Sequence, residues 1–250
     1  RSRPEIKPHV DDEIRIWAVI VGVARYNHMP VLKYSDDDAY QIYAFLKSPE
    51  GGAIPDQQIK VLIDEDATRS KIIDVLQEQF GKADQNDVVL LYYSGHGING
   101  AFLPIDFDGY NNKLYHDEIN EIMEQSEAKH KLCMIDACYA GSMTDIKADF
   151  TASLNQYYSI LNAEKGGTAF MLSCKNKEVS LEDSGLRQGI FSHFLIRGLK
   201  GEADHDQNKI VSVQELFNFI NTQVRVYTGN IQNPVMEGAY NPNMPVALLR

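Results

Sequence analysis

Short apolar runs alternate along this chain with segments whose apolar positions recur at helical spacing. Residues 14–23 read as a first strand and 36–47 as a helix; 58–63 read as a second strand. A helix that Thr68 caps follows, ending at Phe80. Residues 88–93 predict a third strand, 116–125 a helix and 131–135 a fourth strand. Beyond a looser stretch, 167–173 predict a fifth strand, 190–199 and 212–226 two helices, and 244–249 a last strand. Strands apolar on both faces and separated by helices predict an α/β domain, a mostly parallel sheet covered by helices on both sides. Sites in such sheets form beyond the carboxyl ends of the strands.

Two strands end in strings that carry chemistry. Val88-Val89-Leu90-Leu91-Tyr92-Tyr93 runs into Ser94-Gly95-His96-Gly97, and Lys131-Leu132-Cys133-Met134-Ile135 into Asp136-Ala137-Cys138-Tyr139-Ala140-Gly141. His96 and Cys138 each lie three residues past a strand (96 − 93 and 138 − 135), on the same predicted rim. A thiol beside an imidazole makes a nucleophile and its base, the pairing of a cysteine peptidase. The amides of Gly97 and Cys138 are the candidate donors to an oxyanion. Cys133 and Cys174, inside apolar runs, read as buried packing residues.

Composition narrows the setting. With 250 residues, 44% hydrophobic and 24% charged, the chain suits one large globular domain. No internal repeat or low-complexity tract interrupts it. No apolar run reaches the roughly 18 residues of a membrane span. The start, Arg1-Ser2-Arg3-Pro4-Glu5, lacks the apolar stretch of a secretory signal. Three cysteines without a Cys-x-x-Cys spacing predict neither a disulfide framework nor a zinc site, and point to a reducing cytoplasm. A net charge of −11 argues against nucleic acid as a partner and suits a basic one.

Tyr93-Ser94-Gly95-His96-Gly97 together with Asp136-Ala137-Cys138-Tyr139-Ala140-Gly141 resembles the caspase-like (clan CD) cysteine peptidases, above all the metacaspases and bacterial caspase-like proteases. Caspases carry Gln-Ala-Cys-x-Gly with a histidine about 50 residues upstream; here the separation is 42 (138 − 96). The resemblance runs from about Trp17 to the C-terminus. It implies a caspase-like fold with a large-subunit-like part to about residue 145, a linker at 143–166 and a small-subunit-like part at 167–250, after an N-terminal extension at 1–13. It also implies an endopeptidase working by a Cys138–His96 dyad in a regulatory, cell-death or defence pathway, with a flanking regulatory domain or partner.

Caspases that cut after aspartate hold it with arginines and have Gln where this chain has Asp136. The metacaspase pattern instead implies cleavage of protein substrates after Arg or Lys, with an acidic pocket built from Ser35, Asp38, Ser94 and Asp136. Two carboxylates facing a guanidinium match both its charge and its fork. Asp36 and Asp37 read as residues of a helix's first turn, with a capping role. The rival readings are cleavage after Asp or Asn on the same fold, a non-catalytic scaffold module, and a receiver-like domain phosphorylated at residues 36–38. The last leaves the histidine and cysteine strings unexplained.

The dyad requires no cofactor, and the resemblance allows calcium. Asp117, Glu118 and Asp145 fall where some metacaspases carry acidic residues near the catalytic loops. Separately, Asp204, Asp206, Asn208 and Glu215 follow the spacing of a calcium-binding loop, but Lys209 stands where that loop demands glycine. Ser212-x-x-Glu215 is also a capping box, which explains both residues without metal. In the linker, Lys147 and Lys165 are the candidate autoprocessing positions of a basic-specific enzyme, or else ordinary solvated lysines.

Overall fold

The computed structural model describes residues 14–138, 166–175 and 178–249. Strand β1 (Ile16–Gly22) is followed by helix α1 (Ser35–Lys47), β2 (Ile59–Ile63), α2 (Arg69–Phe80) and β3 (Val88–Ser94). Three two-residue strands, β4 (Gly97–Ile98), β5 (Ala101–Phe102) and β6 (Leu114–Tyr115), form a small sheet before α3 (His116–Gln125) and β7 (His130–Asp136). Then come β8 (Thr168–Leu172), the short pair β9 (Glu182–Asp183) and β10 (Gln188–Gly189), and α4 (Ile190–Arg197). The chain continues through β11 (Ile210–Ser212), α5 (Val213–Tyr227), β12 (Val235–Glu237) and β13 (Pro245–Leu248).

The main sheet has six strands in the order β12-β8-β7-β3-β1-β2, parallel except for β12, which runs antiparallel to β8 at the edge. Its two faces explain the unbroken apolar runs. Ala18, Ile20, Leu90, Tyr92, Leu132 and Met134 pack towards α1, α4 and α5. Their alternates Val19, Val21, Leu91, Tyr93, Cys133 and Ile135 pack towards α2 and α3. A two-residue period with both sets buried is what a sheet sandwiched between helix layers requires.

Three expectations change. The segment at 244–249 forms its strand, β13, but that strand pairs with β11 outside the main sheet. The sixth main-sheet strand is β12, only three residues long and half-buried throughout, too short for periodicity to reveal. Helix α1 begins behind Tyr34 with no side-chain cap, so Asp36 and Asp37 sit in its first turn without capping it. Thr68 caps α2, its hydroxyl accepting from the Lys71 amide. No helix among the described residues is long and apolar enough to cross a membrane.

Candidate active site

The parallel register brings Gly22, Ser94 and Asp136 level with one another at the carboxyl ends of β1, β3 and β7. Beyond that row lies a cavity of about 200 Å³. Ser35, Asp38, Ser94, His96, Asp136 and Cys138 all line it, so six side chains singled out from the sequence share one depression. Leu32, Gly95, Val179, Ser180, Leu181, Glu182 and Gly189 complete its wall.

The loop between β1 and α1 holds the His96 ring. Nε2 lies 2.7 Å from the carbonyl oxygen of Pro30. A carbonyl only accepts, so Nε2 carries the proton and, in the neutral ring, Nδ1 is left as the base. The third group beside His96 and Cys138 is therefore a backbone oxygen. Any residue type can supply one, so no signal in the sequence marks Pro30.

Gly97 is required by closeness rather than by unusual torsion. A Cβ there would come 2.3 Å from the Cys138 carbonyl oxygen, so the two candidate oxyanion donors belong to backbone segments in direct contact. The thiol side is fixed from β8: Ser173 Oγ accepts from the Ala137 amide at 3.2 Å and donates to the Ala137 carbonyl at 3.1 Å. Burial pushes the Cys138 thiol above its ordinary range; the Ser180 amide counters this in part, and the Asp136 charge adds to it. A thiol so placed is protonated at neutral pH and needs a base to become a nucleophile.

The two aspartates are almost wholly buried, Asp38 at 1% exposure and Asp136 at 5%. Asp136 is well supplied with donors. Ser180 Oγ donates to its Oδ1, while Ser192 donates to Oδ2 from its hydroxyl at 2.6 Å and its amide at 3.2 Å. Tyr92 lies 2.7 Å behind the Ser192 hydroxyl, extending the chain of hydrogen bonds. Asp38 is more sparsely supplied: the Gly189 amide donates to Oδ2 at 2.8 Å and the Gln188 side chain favours the carboxylate from beside it, but buried Oδ1 makes no well-formed hydrogen bond. A Cβ on Gly189 would sit 2.6 Å from Asp136 Oδ2 and 3.0 Å from Asp38 Oδ2, which puts those oxygens within 5.6 Å (2.6 + 3.0) of each other. Only glycine fits between them. Burial, then the charge of Asp136, pushes Asp38 up to about 8, and burial raises Asp136 as well. Glu182, whose carboxylate accepts from the amides of Lys33 and Tyr34, adds a third acid to the wall.

Sequence reasoning missed Ser173, Ser180, Glu182, Gly189 and Ser192, all from the small-subunit-like part. Small polar residues in loops and first turns give no periodic signal, and their purpose appears only when β8 and α4 are laid against β7.

The candidate metal ligands are not gathered at this cavity. Glu118 pairs with Arg69 and accepts from the Tyr115 amide at the start of α3, and Asp117 is exposed. Asp204, Asp206 and Glu215 each bring a carboxylate oxygen within 4.8 Å of the others, where the loop before α5 meets that helix's first turn. Lys209 takes φ 70° there, so the chain makes the bend without the glycine expected at that position. Glu215 also completes the capping box with Ser212, as read from the sequence. The Asn208 side chain is engaged with Asp206 and with the Ile210 amide. Asp145, Lys147 and Lys165 lie outside the described residues.

A family model described as Caspase domain matches residues 15–243. The chain is similar to a probable protease of a Desulfuromonadales bacterium, 25% identical over 244 residues covering 83% of this chain and 29% of that protein. It is 26% identical to Metacaspase-3 of Trypanosoma cruzi over 210 residues, 72% of this chain and 57% of the relative. It is 25% identical to Metacaspase-1 of Saccharomyces cerevisiae over 150 residues, 52% and 34% of the respective lengths. The chain thus spans 29% to 57% of the length of these curated relatives. A solved protein of Geobacter sulfurreducens superposes with a TM-score of 0.62 at 17% identity, covering 94% of this chain and 100% of that one, a likeness of fold.

Proposed function

The chain belongs to the caspase-like peptidases related to the metacaspases, and from that premise we propose that it is a cysteine endopeptidase cutting proteins after Arg or Lys. The observation that carries the specificity is Asp38: a buried carboxylate with one oxygen lacking a well-formed hydrogen bond, beside a second buried carboxylate, in the cavity that holds His96 and Cys138. A buried carboxylate with so few protein donors is costly, and a guanidinium or ammonium group supplies what it lacks. Cleavage after Asp fits less well, because a further anion would enter a wall already lined by Asp38, Asp136 and Glu182, and a neutral Asn would leave their charge unmatched.

His96 Nδ1 takes the Cys138 proton as the sulfur attacks the scissile carbonyl carbon. The oxyanion forms against the amides of Gly97 and Cys138. His96 then gives its proton to the leaving amine, and a water activated by the same nitrogen hydrolyses the thioester. Pro30 fixes the tautomer this requires. The chemistry takes no cofactor. Protein substrates are the partners this reading implies, presented to the domain within a longer polypeptide or by a regulatory partner.

Fluorogenic peptides ending in Arg, Lys or Asp test it, assayed on the parent, Cys138→Ala and His96→Ala, with added calcium and with a chelator. Arg and Lys peptides should be cut by the parent alone, each variant losing at least about 10³-fold in kcat/KM. Preference for Asp, or substantial turnover by Cys138→Ala, would overturn the assignment.

A further inference from the structure

The proposed mechanism leaves Tyr26 unused, yet this residue touches His96 twice. It is 5% exposed, and its hydroxyl accepts from the His96 amide at 2.9 Å while donating to the Leu103 carbonyl at 2.7 Å. Its ring lies against the imidazole, with centroids 4.8 Å apart and planes tilted by 50°. From the other side, the His96 carbonyl accepts from the Leu103 amide at 3.0 Å, and the Tyr93 hydroxyl, which donates to the Leu103 carbonyl at 2.9 Å, lies 3.3 Å from it. The turn is gripped between two tyrosines. A Cβ on Gly95 would come 2.7 Å from the Tyr26 hydroxyl and 2.9 Å from that of Tyr93, so glycine alone passes between them.

Tyr26 and Pro30 ride on one loop, and that loop is anchored at its start. Asp64, held at φ 44° just past β2, accepts from the amides of Ala24 and Arg25 at 2.8 and 3.0 Å. The Leu32 amide closes the loop onto the Ala24 carbonyl at 3.0 Å. Backbone amide, ring face and Nε2 of His96 are thus all met by residues 26–30. A histidine that must collect a proton at sulfur and deliver it at nitrogen gains from such restraint, because a misplacement of about 1 Å can cost about 10²-fold in rate.

We propose that Tyr26 is a positioning residue that holds His96 in register with Cys138 through its hydroxyl and ring. The proposal rests on the peptidase reading above. Burial pushes the Tyr26 hydroxyl well above its ordinary range, so it stays protonated and keeps both hydrogen bonds wherever the enzyme works. Tyr26→Phe keeps the ring and removes one oxygen. Leu103 retains its bond from Tyr93, 2.9 Å away, while the His96 amide loses its acceptor and the Tyr93 hydroxyl a neighbour.

Two readouts separate positioning from packing. One compares kcat and KM for an Arg peptide amide with those for the matching ester, whose leaving group depends less on proton delivery. The other follows the pH dependence of Cys138 alkylation by iodoacetamide. Tyr26→Phe should lower kcat on the amide by about 10- to 100-fold with KM within about twofold, and should affect the ester less. Its alkylation midpoint should move to higher pH. Equal losses on ester and amide, or an unmoved midpoint, would assign Tyr26 to packing and overturn the proposal. If Tyr26→Phe does not fold, Asp64→Ala replaces it, loosening the anchor without touching His96, with the same shifts expected in weaker form. His96→Ala is the control: an alkylation profile that does not change in it would sink the dyad and the role of Tyr26 together. Loss of Arg preference with an intact alkylation shift would sink only the specificity reading.

Discussion

Three acidic residues converge at the rim of the main sheet, and three more where a loop enters α5. At the rim, Asp38 and Asp136 are buried, with Glu182 half-covered beside them. In the loop, Asp204 and Glu215 are half-covered and Asp206 is exposed. The loop carboxylates face water and backbone donors: Asp204 accepts from the amides of Asn208 and Lys209, and Glu215 from those of Ser212 and His205. Burial alone would raise Glu215, but the donors of Ser212, Asp206 and His205 together outweigh it and hold the carboxylate below its usual range. At the rim the balance reverses, and Asp38 keeps a proton to about pH 8. Similar residue types thus become a buried pair that resists losing its protons in one place and a satisfied helix entry in the other. Access to donors decides between them.

The largest test of that contrast sets Asp136 against Asp38. Either substitution, Asp136→Ala or Asp38→Asn, should lower kcat/KM on Arg peptides by about 10²-fold or more, since breaking a buried charged pair costs about 3–5 kcal/mol. Stability should separate them. Asp136→Ala strands the hydroxyls of Ser180 and Ser192, so its Tm should fall. Asp38→Asn removes one of two like charges within 5.6 Å (2.6 + 3.0) and should raise the Tm at alkaline pH. Thermal melts and steady-state rates on both variants check this. An equal loss of kcat/KM from Asp204→Asn would erase the distinction between the two groups.

Much of this was legible before any coordinates. The strings ending at His96 and Cys138 are legible because a buried parallel strand must be apolar throughout and must then stop. Their place on a common rim follows from parallel packing. Asp38 needed the family pattern, since an acid in the first turn of α1 is what helix electrostatics favours anyway. Out of reach were the contributions of backbone and small polar groups: the Pro30 carbonyl, the Gly189 amide, and the hydroxyls of Ser180 and Ser192. Their roles depend on contacts across long sequence separations, Ser192 reaching Asp136 from 56 residues away. β12 was missed for a related reason. Three residues carry no period, and it is the pairing with β8 that makes them a strand.

The next effect in size is a pH dependence that runs in opposite directions for binding and for folding. Asp38 releases its proton near pH 8 in the folded protein and near its ordinary value of 3.8 when unfolded. Between those pH values the native state holds a proton that the unfolded chain has lost, so stability declines as pH rises through the interval. Pairing with a substrate cation needs the ionised form, so KM for Arg peptides should fall as pH rises through about 8. Asp136 shares the site, and the two titrate as a unit. Tm measured from pH 5 to 9, alongside KM over the same range, should show both slopes in the parent. Asp38→Asn should flatten both. A KM that is insensitive to pH in the parent would mean that Asp38 does not face the substrate charge.

The smallest effect belongs to the loop. Glu215 accepts from the Ser212 amide at 3.0 Å and hydroxyl at 2.7 Å, while Ser212 Oγ accepts from the Glu215 amide at 3.3 Å, closing the box at the start of α5. Glu215→Gln keeps an acceptor but gives up the charge near the helix N-terminus, worth at most about 1 kcal/mol. For a domain of this size the Tm should drop by about 2–4 °C, with kcat/KM on Arg peptides unchanged because α5 contributes nothing to the cavity wall. Differential scanning calorimetry in calcium-free buffer measures it. Repeating the melts in millimolar calcium sharpens the comparison. A rise in the parent's Tm that Glu215→Gln abolishes would show that the loop carboxylates hold a cation as the rim carboxylates are proposed to do, and the two groups would then differ in the cation they take.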